Sequence, residues 1–189
     1  SQVSLELGGK DAMIVCSDAD VKDAASGAVV GSLMNAGQYC CGTERIYVMS
    51  DIYDEFVEEV VVITKSLVQS NDCKGDVGPT FWDKQIEIIE DHVNDAIAKG
   101  ATVLAGGKRN PAFEGLYFEP TVLTEVTHEM KIMKDETFGP VICIMKVESE
   151  DEALSLANQS HFGLNGNVWT KDLVKGQRIA RSIETGACS

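Results

Sequence analysis

Apolar positions recur along the chain with two alternating periods. Short β-branched runs that fit strands alternate with stretches of roughly 3.6-residue spacing that fit helices. SLEL (residues 4–7) and AMIVC (12–16) read as strands. Asp18-Ala19-Asp20 then offers an N-cap, and the small and apolar residues from Val21 to Met34 read as a buried helix ended by Gly37. Arg45 to Met49 reads as a strand. Asp51 can cap the next helix, where Phe56, Val57, Val60, Ile63 and Val68 share a face. Residues 70–80 are a loop by composition. Ile86, Ile89, Val93 and Ile97 mark a long amphipathic helix with Gly100 as its C-cap. ATVLAGG (101–107) is a strand and a turn, and 107–116 a loop. Tyr117 to Leu123 is extended but broken by Pro120, which predicts an edge strand or two short pieces. Val141 to Val147 is a buried strand, Asp151 to Asn158 a helix, Asn167 to Trp169 a strand, and Leu173 to Ile183 a last helix ending near Gly186. This alternation predicts an α/β fold: a three-layer αβα domain whose mainly parallel sheet is covered on both faces, with right-handed crossovers.

With 189 residues, the chain fits one domain large enough to bury a core without disulfides or metal. Its longest apolar stretch, around Val60 to Ile63, is too short and too charged to span a bilayer, and no signal-peptide pattern opens the chain. Sixteen basic residues stand against 30 acidic ones, a net charge of −14 that argues against a phosphate-tracking surface for nucleic acid. The acids concentrate between residues 51 and 100 and fall on the expected helices, as solvated faces do. Of the six cysteines, Cys16 and Cys143 lie inside apolar strands, where a reduced thiol behaves as a small hydrophobe. There is no CxxC and no Cys/His cluster at zinc spacing, so no metal site is expected and a reducing, cytoplasmic setting is favoured.

Three segments could carry chemistry. Cys40 lies in Asn35-Ala-Gly-Gln-Tyr-Cys-Cys-Gly-Thr, a glycine-flanked loop between a helix and a strand. Such a loop can expose a thiolate; an ordinary loop cysteine fits it as well. Glu6, in Leu5-Glu-Leu-Gly-Gly-Lys, faces away from its two leucines if that run is a strand, and the glycines let a backbone or ligand approach. A general base and a plain solvent-facing acid are both open there. Asp135-Glu-Thr-Phe-Gly-Pro puts a carboxylate and an aromatic on a turn before a buried strand, which could grip the hydroxyls and face of a sugar or be a surface turn. His92, His128 and His161 have no Ser or Cys partner at a recognisable spacing, and neither GxxxxGK[ST] nor GxGxxG occurs.

The order LELGGK, NAGQYC, ETFGP resembles the aldehyde dehydrogenase superfamily. Asp18-Ala-Asp-Val, Arg45-Ile-Tyr-Val, Ile52-Tyr-Asp-Glu-Phe, Gly78-Pro, Phe118-Glu-Pro-Thr-Val and the run from Phe162 to Asp172 extend the resemblance over essentially the whole chain. The resemblance implies Cys40 as the nucleophile with Cys41 beside it, and Glu6 as the general base. It also implies that Glu136 holds the nicotinamide ribose hydroxyls and that Phe138 packs beside that ribose. The activity implied is oxidation of an aldehyde with NAD or NADP through a thiohemiacetal and a thioester. The substrate is then a small-molecule aldehyde and the parent a homo-oligomer, with neither nucleic acid nor membrane as partner.

The family's dinucleotide-binding domain, the asparagine that completes its oxyanion hole, and its final strands have no counterpart in these 189 residues. The chain opens on a strand-like run and stops at Gly186-Ala-Cys-Ser, where a further strand is expected. Residues 1–189 are therefore expected to be the catalytic domain of a longer chain, without the main cofactor site and inactive in oxidation alone. Two readings from other classes compete. One is a cofactor-independent thiol esterase or acyl carrier using Cys40; the lack of a Cys–His pair in sequence argues against it, and acyl-enzyme turnover without NAD would favour it. The other is a non-catalytic folding module, which an unreactive Cys40 would favour.

Overall fold

The structure, a computed structural model, describes residues 2–189. The parallel core is built from β1 (Asp11–Val15), α1 (Val21–Leu33) with a 3-10 turn over Met34–Gly37, β2 (Thr43–Met49) and α2 (Tyr53–Ser66). Then come α3 (Asp83–Ala98), β3 (Thr102–Ala105), β4 (Thr121–Thr124), a single turn α4 (Lys131–Lys134) and β5 (Val141–Val147). The chain continues through α5 (Glu150–Asn158), β6 (Asn165–Trp169), α6 (Leu173–Ser182) and the two-residue β7 (Ala187–Cys188). The strands form one sheet in the order β3-β4-β5-β2-β1-β6-β7, parallel at every junction except the antiparallel edge pair β3–β4.

Alternation along the central strands divides the core in two. Ala12, Ile14, Tyr47, Cys143 and Val147 face one side, under Ile86, Ile89, Val93 and Ala96 of α3 and Ala153 and Ala157 of α5. Met13, Val15, Ile46, Val48, Ile142 and Ile144 face the other, under Ala24, Ala28 and Val29 of α1 and Phe56 and Val60 of α2. Both faces are thus sealed, giving the αβα layering that strands apolar on both sides require.

Three expectations change. SLEL is no strand: residues 4–7 pair with nothing in the sheet, and Leu5 and Leu7 are exposed. Alternation alone cannot supply a ladder partner. Asp51 does not cap α2; its carboxylate accepts the Ser17 hydroxyl at 2.8 Å, and Ile52 stands at the cap. On α3 the buried stripe ends on Ala96 rather than Ile97, which is 43% exposed. Pro120 does split its extended run, leaving an isolated bridge at Phe118 and then β4.

The two ends of the sheet differ. At the C-terminal ends of the parallel strands the side chains of Asp20, Ser149 and Asp172 cap α1, α5 and α6. There Asp18 also accepts the Thr170 hydroxyl and the Lys175 ammonium, both at 2.8 Å. At the N-terminal ends lie the three glycine-bearing motifs: Gly8-Gly9-Lys10 before β1, Gln38 to Gly42 before β2, and Glu136 to Pro140 before β5. Because β5, β2 and β1 are adjacent and parallel, these loops are neighbours in space.

Candidate active site

The Cys40 loop leaves α1 through three successive left-handed residues, Asn35 (φ 52°), Ala36 (φ 57°) and Gly37 (φ 72°). For the non-glycine pair this conformation costs about 1–2 kcal/mol per residue, so local contacts must hold it. Asn35 Nδ2 donates to the Gln38 carbonyl at 3.0 Å. Gln38 Nε2 donates to the carbonyls of Asn35 and Pro79, and Gln38 Oε1 accepts the Phe81 N–H at 2.8 Å. The Tyr39 hydroxyl donates to the Gly31 carbonyl of α1, and burial pushes its pKa up to about 12. Cys40 is left half-buried on the turn before β2, with Cys41 exposed beside it.

Two glycine contacts weld this loop to its neighbours. A methyl on Gly9 would overlap the Cys40 carbonyl oxygen, and one on Gly37 would overlap the carbonyl of Gly139. The Gly9 N–H donates to Glu136 Oε1 at 2.9 Å. A methyl on Gly8 (φ 73°) would fall within 2.8 Å of all three atoms of the Glu136 carboxylate. The pair Gly8-Gly9 therefore makes a cradle that only glycine leaves open, with Glu136 lying in it. Burial raises the Glu136 pKa, opposed by the Gly9 hydrogen bond and reinforced by the negative charge of Glu44.

The loop that carries Glu136 is held from behind by Glu44 and Gln85, which lie outside the three motifs, and by Lys10 at the end of the first. Glu44, at the start of β2, accepts the Thr137 N–H at 2.8 Å and the Phe138 N–H at 2.9 Å, and its other partner is the buried Lys10 ammonium. Lys10 also donates to Thr137 Oγ1 at 3.2 Å, and Gln85 Nε2 donates to the Thr137 carbonyl at 2.7 Å. His92 Nδ1 lies 3.1 Å from the same Thr137 hydroxyl, within hydrogen-bond distance. Burial, followed by the Lys10 charge, lowers the His92 pKa. The sequence did carry a signal: two charged residues, Glu44 and Arg45, open an otherwise apolar strand, and both are buried.

The loops that carry Cys40, Glu136 and Phe138 thus come together at the N-terminal ends of the central strands. Phe138 is half-buried with φ 49°, and Glu6 lies on the exposed segment three residues before the Gly9–Cys40 contact. A hollow of about 360 Å³ adjoins Gly8, lined by Leu7, Gly8, His161, Phe162, Gly163 and Leu164. Its apolar wall was missed because Leu7 and Leu164 are far apart in sequence and meet only where β1 and β6 pair. Beside Gly9, Asp11 Oδ1 accepts the Asn165 N–H at 3.1 Å, and burial raises this carboxyl to about 7. Among the described residues no group of three or more His, Cys, Asp or Glu could hold a metal ion.

A family model described as the aldehyde dehydrogenase family matches residues 1–189. A 3-sulfolactaldehyde dehydrogenase of Pseudomonas putida is 41% identical over 187 residues, covering 98% of this chain and 38% of that protein. Among solved structures, a Staphylococcus aureus betaine aldehyde dehydrogenase in complex with NAD+ superposes with a TM-score of 0.93 at 38% identity, over 97% of this chain and 37% of its own. An E. coli structure described as an NADP-dependent enzyme gives 0.94 at 34% identity, over 97% and 38%. The chain therefore spans less than two fifths of the length of these relatives.

Proposed function

Since the chain belongs to the aldehyde dehydrogenase family, we propose that it is the catalytic domain of a longer enzyme that oxidises an aldehyde to a carboxylic acid with NAD or NADP. The observation that carries this reading is Gly9: its N–H binds the Glu136 carboxylate while its Cα rests on the Cys40 carbonyl. One backbone position thereby couples the candidate nucleophile to the candidate ribose grip.

The residues fit a dinucleotide's nicotinamide end. Glu136 uses Oε1 for Gly9 and keeps acceptor capacity for sugar hydroxyls, in a cradle a side chain at Gly8 would fill. Phe138 stands two residues on, and the hollow between Leu7 and Leu164 offers an apolar wall for a flat ring.

Cys40, as thiolate, adds its sulfur to the aldehyde carbon, and the carbonyl electron pair moves onto oxygen. The backbone N–H of Cys40 donates to that oxyanion. Loss of hydride from the same carbon re-forms the carbonyl as a thioester on Cys40. NAD(P), when bound, supplies the acceptor for that hydride. Glu6 then takes a proton from water as the water oxygen attacks the thioester, and Cys40 departs as thiolate with release of the acid. Glu6 stands on an exposed segment outside the sheet, three residues before Gly9.

We propose in addition a reducing, cytoplasmic setting and a homo-oligomeric parent, as the family resemblance implies. Among the described residues no helix is long and apolar enough to cross a membrane.

Rapid-mixing kinetics with intact-mass detection on the complete enzyme tests the roles. Cys40→Ala should abolish both acyl-enzyme and NADH formation, and Cys41→Ala should retain most activity. Glu6→Gln should give an NADH burst followed by turnover slowed about 10²–10⁴-fold where deacylation limits. Wild-type turnover in Glu6→Gln removes Glu6 from the mechanism. An acyl adduct that survives Cys40→Ala but not Cys41→Ala moves the nucleophile by one residue.

A further inference from the structure

We infer that Glu44, neutralised by Lys10, is the positioning residue that sets where Glu136 and Phe138 meet the dinucleotide; this rests on the cofactor reading above. The placement follows from the hydrogen-bond count at one carboxylate. Glu44 Oε1 accepts the Phe138 N–H at 2.9 Å and the Thr137 N–H at 3.2 Å. Its Oε2 accepts the same Thr137 N–H at 2.8 Å together with the Lys10 ammonium. Every contact on Glu44 is a donor. A carboxylate is the only side-chain head of this size that can accept on both atoms; an amide must turn its NH₂ toward one of these donors.

These bonds fix the two peptide units directly after Glu136. The second of them belongs to Phe138, whose φ of 49° is a conformation that a bulky residue holds only when its surroundings over-determine it. Gln85 and His92 of α3 grip Thr137 from the opposite side through its carbonyl and hydroxyl. The loop is therefore clamped between β2 and α3 at Thr137, with Glu136 directed to Gly8-Gly9 on one side and Phe138 released on the other. Lys10 follows Gly9 in the chain, so the same ion pair ties the cradle to the loop that fills it. Release of the clamp should move Glu136 relative to the cradle without touching Cys40. A misplacement of about 1 Å at such a group can cost roughly 10²-fold.

The test uses the complete enzyme with three variants: Glu44→Gln, Lys10→Met/Glu44→Leu, and Glu136→Ala. The double variant removes both buried charges together, so no lone charge is left behind and the Thr137 and Phe138 amides alone lose their acceptor; it answers the question if Glu44→Gln fails to fold. NAD(P) affinity is read by calorimetry, amide exchange at Thr137 and Phe138 in the cofactor-free protein, and Cys40 reactivity by iodoacetamide labelling. The expected result for either folded Glu44 variant is faster exchange at both amides and an NAD(P) dissociation constant weakened about 10–100-fold. The KM for NAD(P) should rise in proportion, with far less change in Cys40 labelling. Weakened binding in Glu136→Ala with wild-type affinity in a folded Glu44 variant overturns the positioning role alone. Wild-type affinity in Glu136→Ala overturns the ribose grip and this inference with it.

Discussion

A thiol becomes a nucleophile as its anion, so burial sorts the cysteines of this chain before any motif is considered. Cys143 is 1% exposed, and burial pushes its pKa up to about 12; Cys16 is fully buried and pushed up to about 11. Both thiols therefore stay protonated near neutral pH. Cys40 is half-buried on a loop, and Cys41 and Cys73 are exposed. Brief treatment with limiting iodoacetamide at neutral pH should label Cys40 while Cys16 and Cys143 stay unmodified in peptide mass maps. Label on Cys16 or Cys143 ahead of Cys40 would count decisively against the site. The pKa of Cys41 is raised, first by burial and then by the neighbouring Cys40, so exposure alone does not make it the better nucleophile.

Between elements, the decisive contacts are backbone against backbone. Gly37 combines a positive φ with an approach to the Gly139 carbonyl that leaves no room for a Cβ. Gly37→Ala should separate the Cys40 loop from the Glu136 loop and lower the melting temperature. A cost of about 1–2 kcal/mol is expected from the left-handed conformation alone, before the clash is added. A variant with unchanged melting and unchanged Cys40 labelling would mean that the two loops are not coupled there. The sequence made the strands legible where one run was apolar on both faces: Val141 to Val147 appears as β5 with those boundaries. It also made the caps at Asp20 and the break at Pro120 legible, because both act within a few residues. SLEL failed because a strand is defined by its partner, and α4 because one turn leaves no periodicity. Cys40, Glu6, Glu136 and Phe138 were legible only as three motifs in order. That two of those motifs touch through Gly9 and Glu136 follows from β5, β2 and β1 being adjacent, which no local pattern encodes. Glu44 stayed hidden for the same reason: its partners, Lys10 and Thr137, lie 34 and 93 residues away.

At the scale of the whole molecule, the candidate site lies across the N-terminal ends of the central strands. The motifs gather at the strand N-termini, whereas open α/β sheets commonly bind nucleotides outside the strand C-termini, here taken up by helix caps. Under the proposed reading a dinucleotide would meet one carboxylate, one aromatic and a hollow of about 360 Å³, and among the described residues no glycine-rich loop leads into a helix N-terminus for the pyrophosphate. Its net charge of −14 opposes an anionic ligand further. Relatives that share the fold are more than twice as long, which leaves ample chain elsewhere in them for the adenosine and pyrophosphate. The 189-residue chain alone should therefore give no measurable NAD-dependent aldehyde oxidation. It should bind NAD more weakly than a dissociation constant of about 10 μM, roughly −7 kcal/mol. Isothermal calorimetry on the isolated chain, beside an NADH absorbance assay over a panel of aldehydes, checks both halves. Binding tighter than that limit, or steady NADH production, would mean that these residues hold a sufficient cofactor site themselves and that the division of labour proposed for the longer enzyme is wrong.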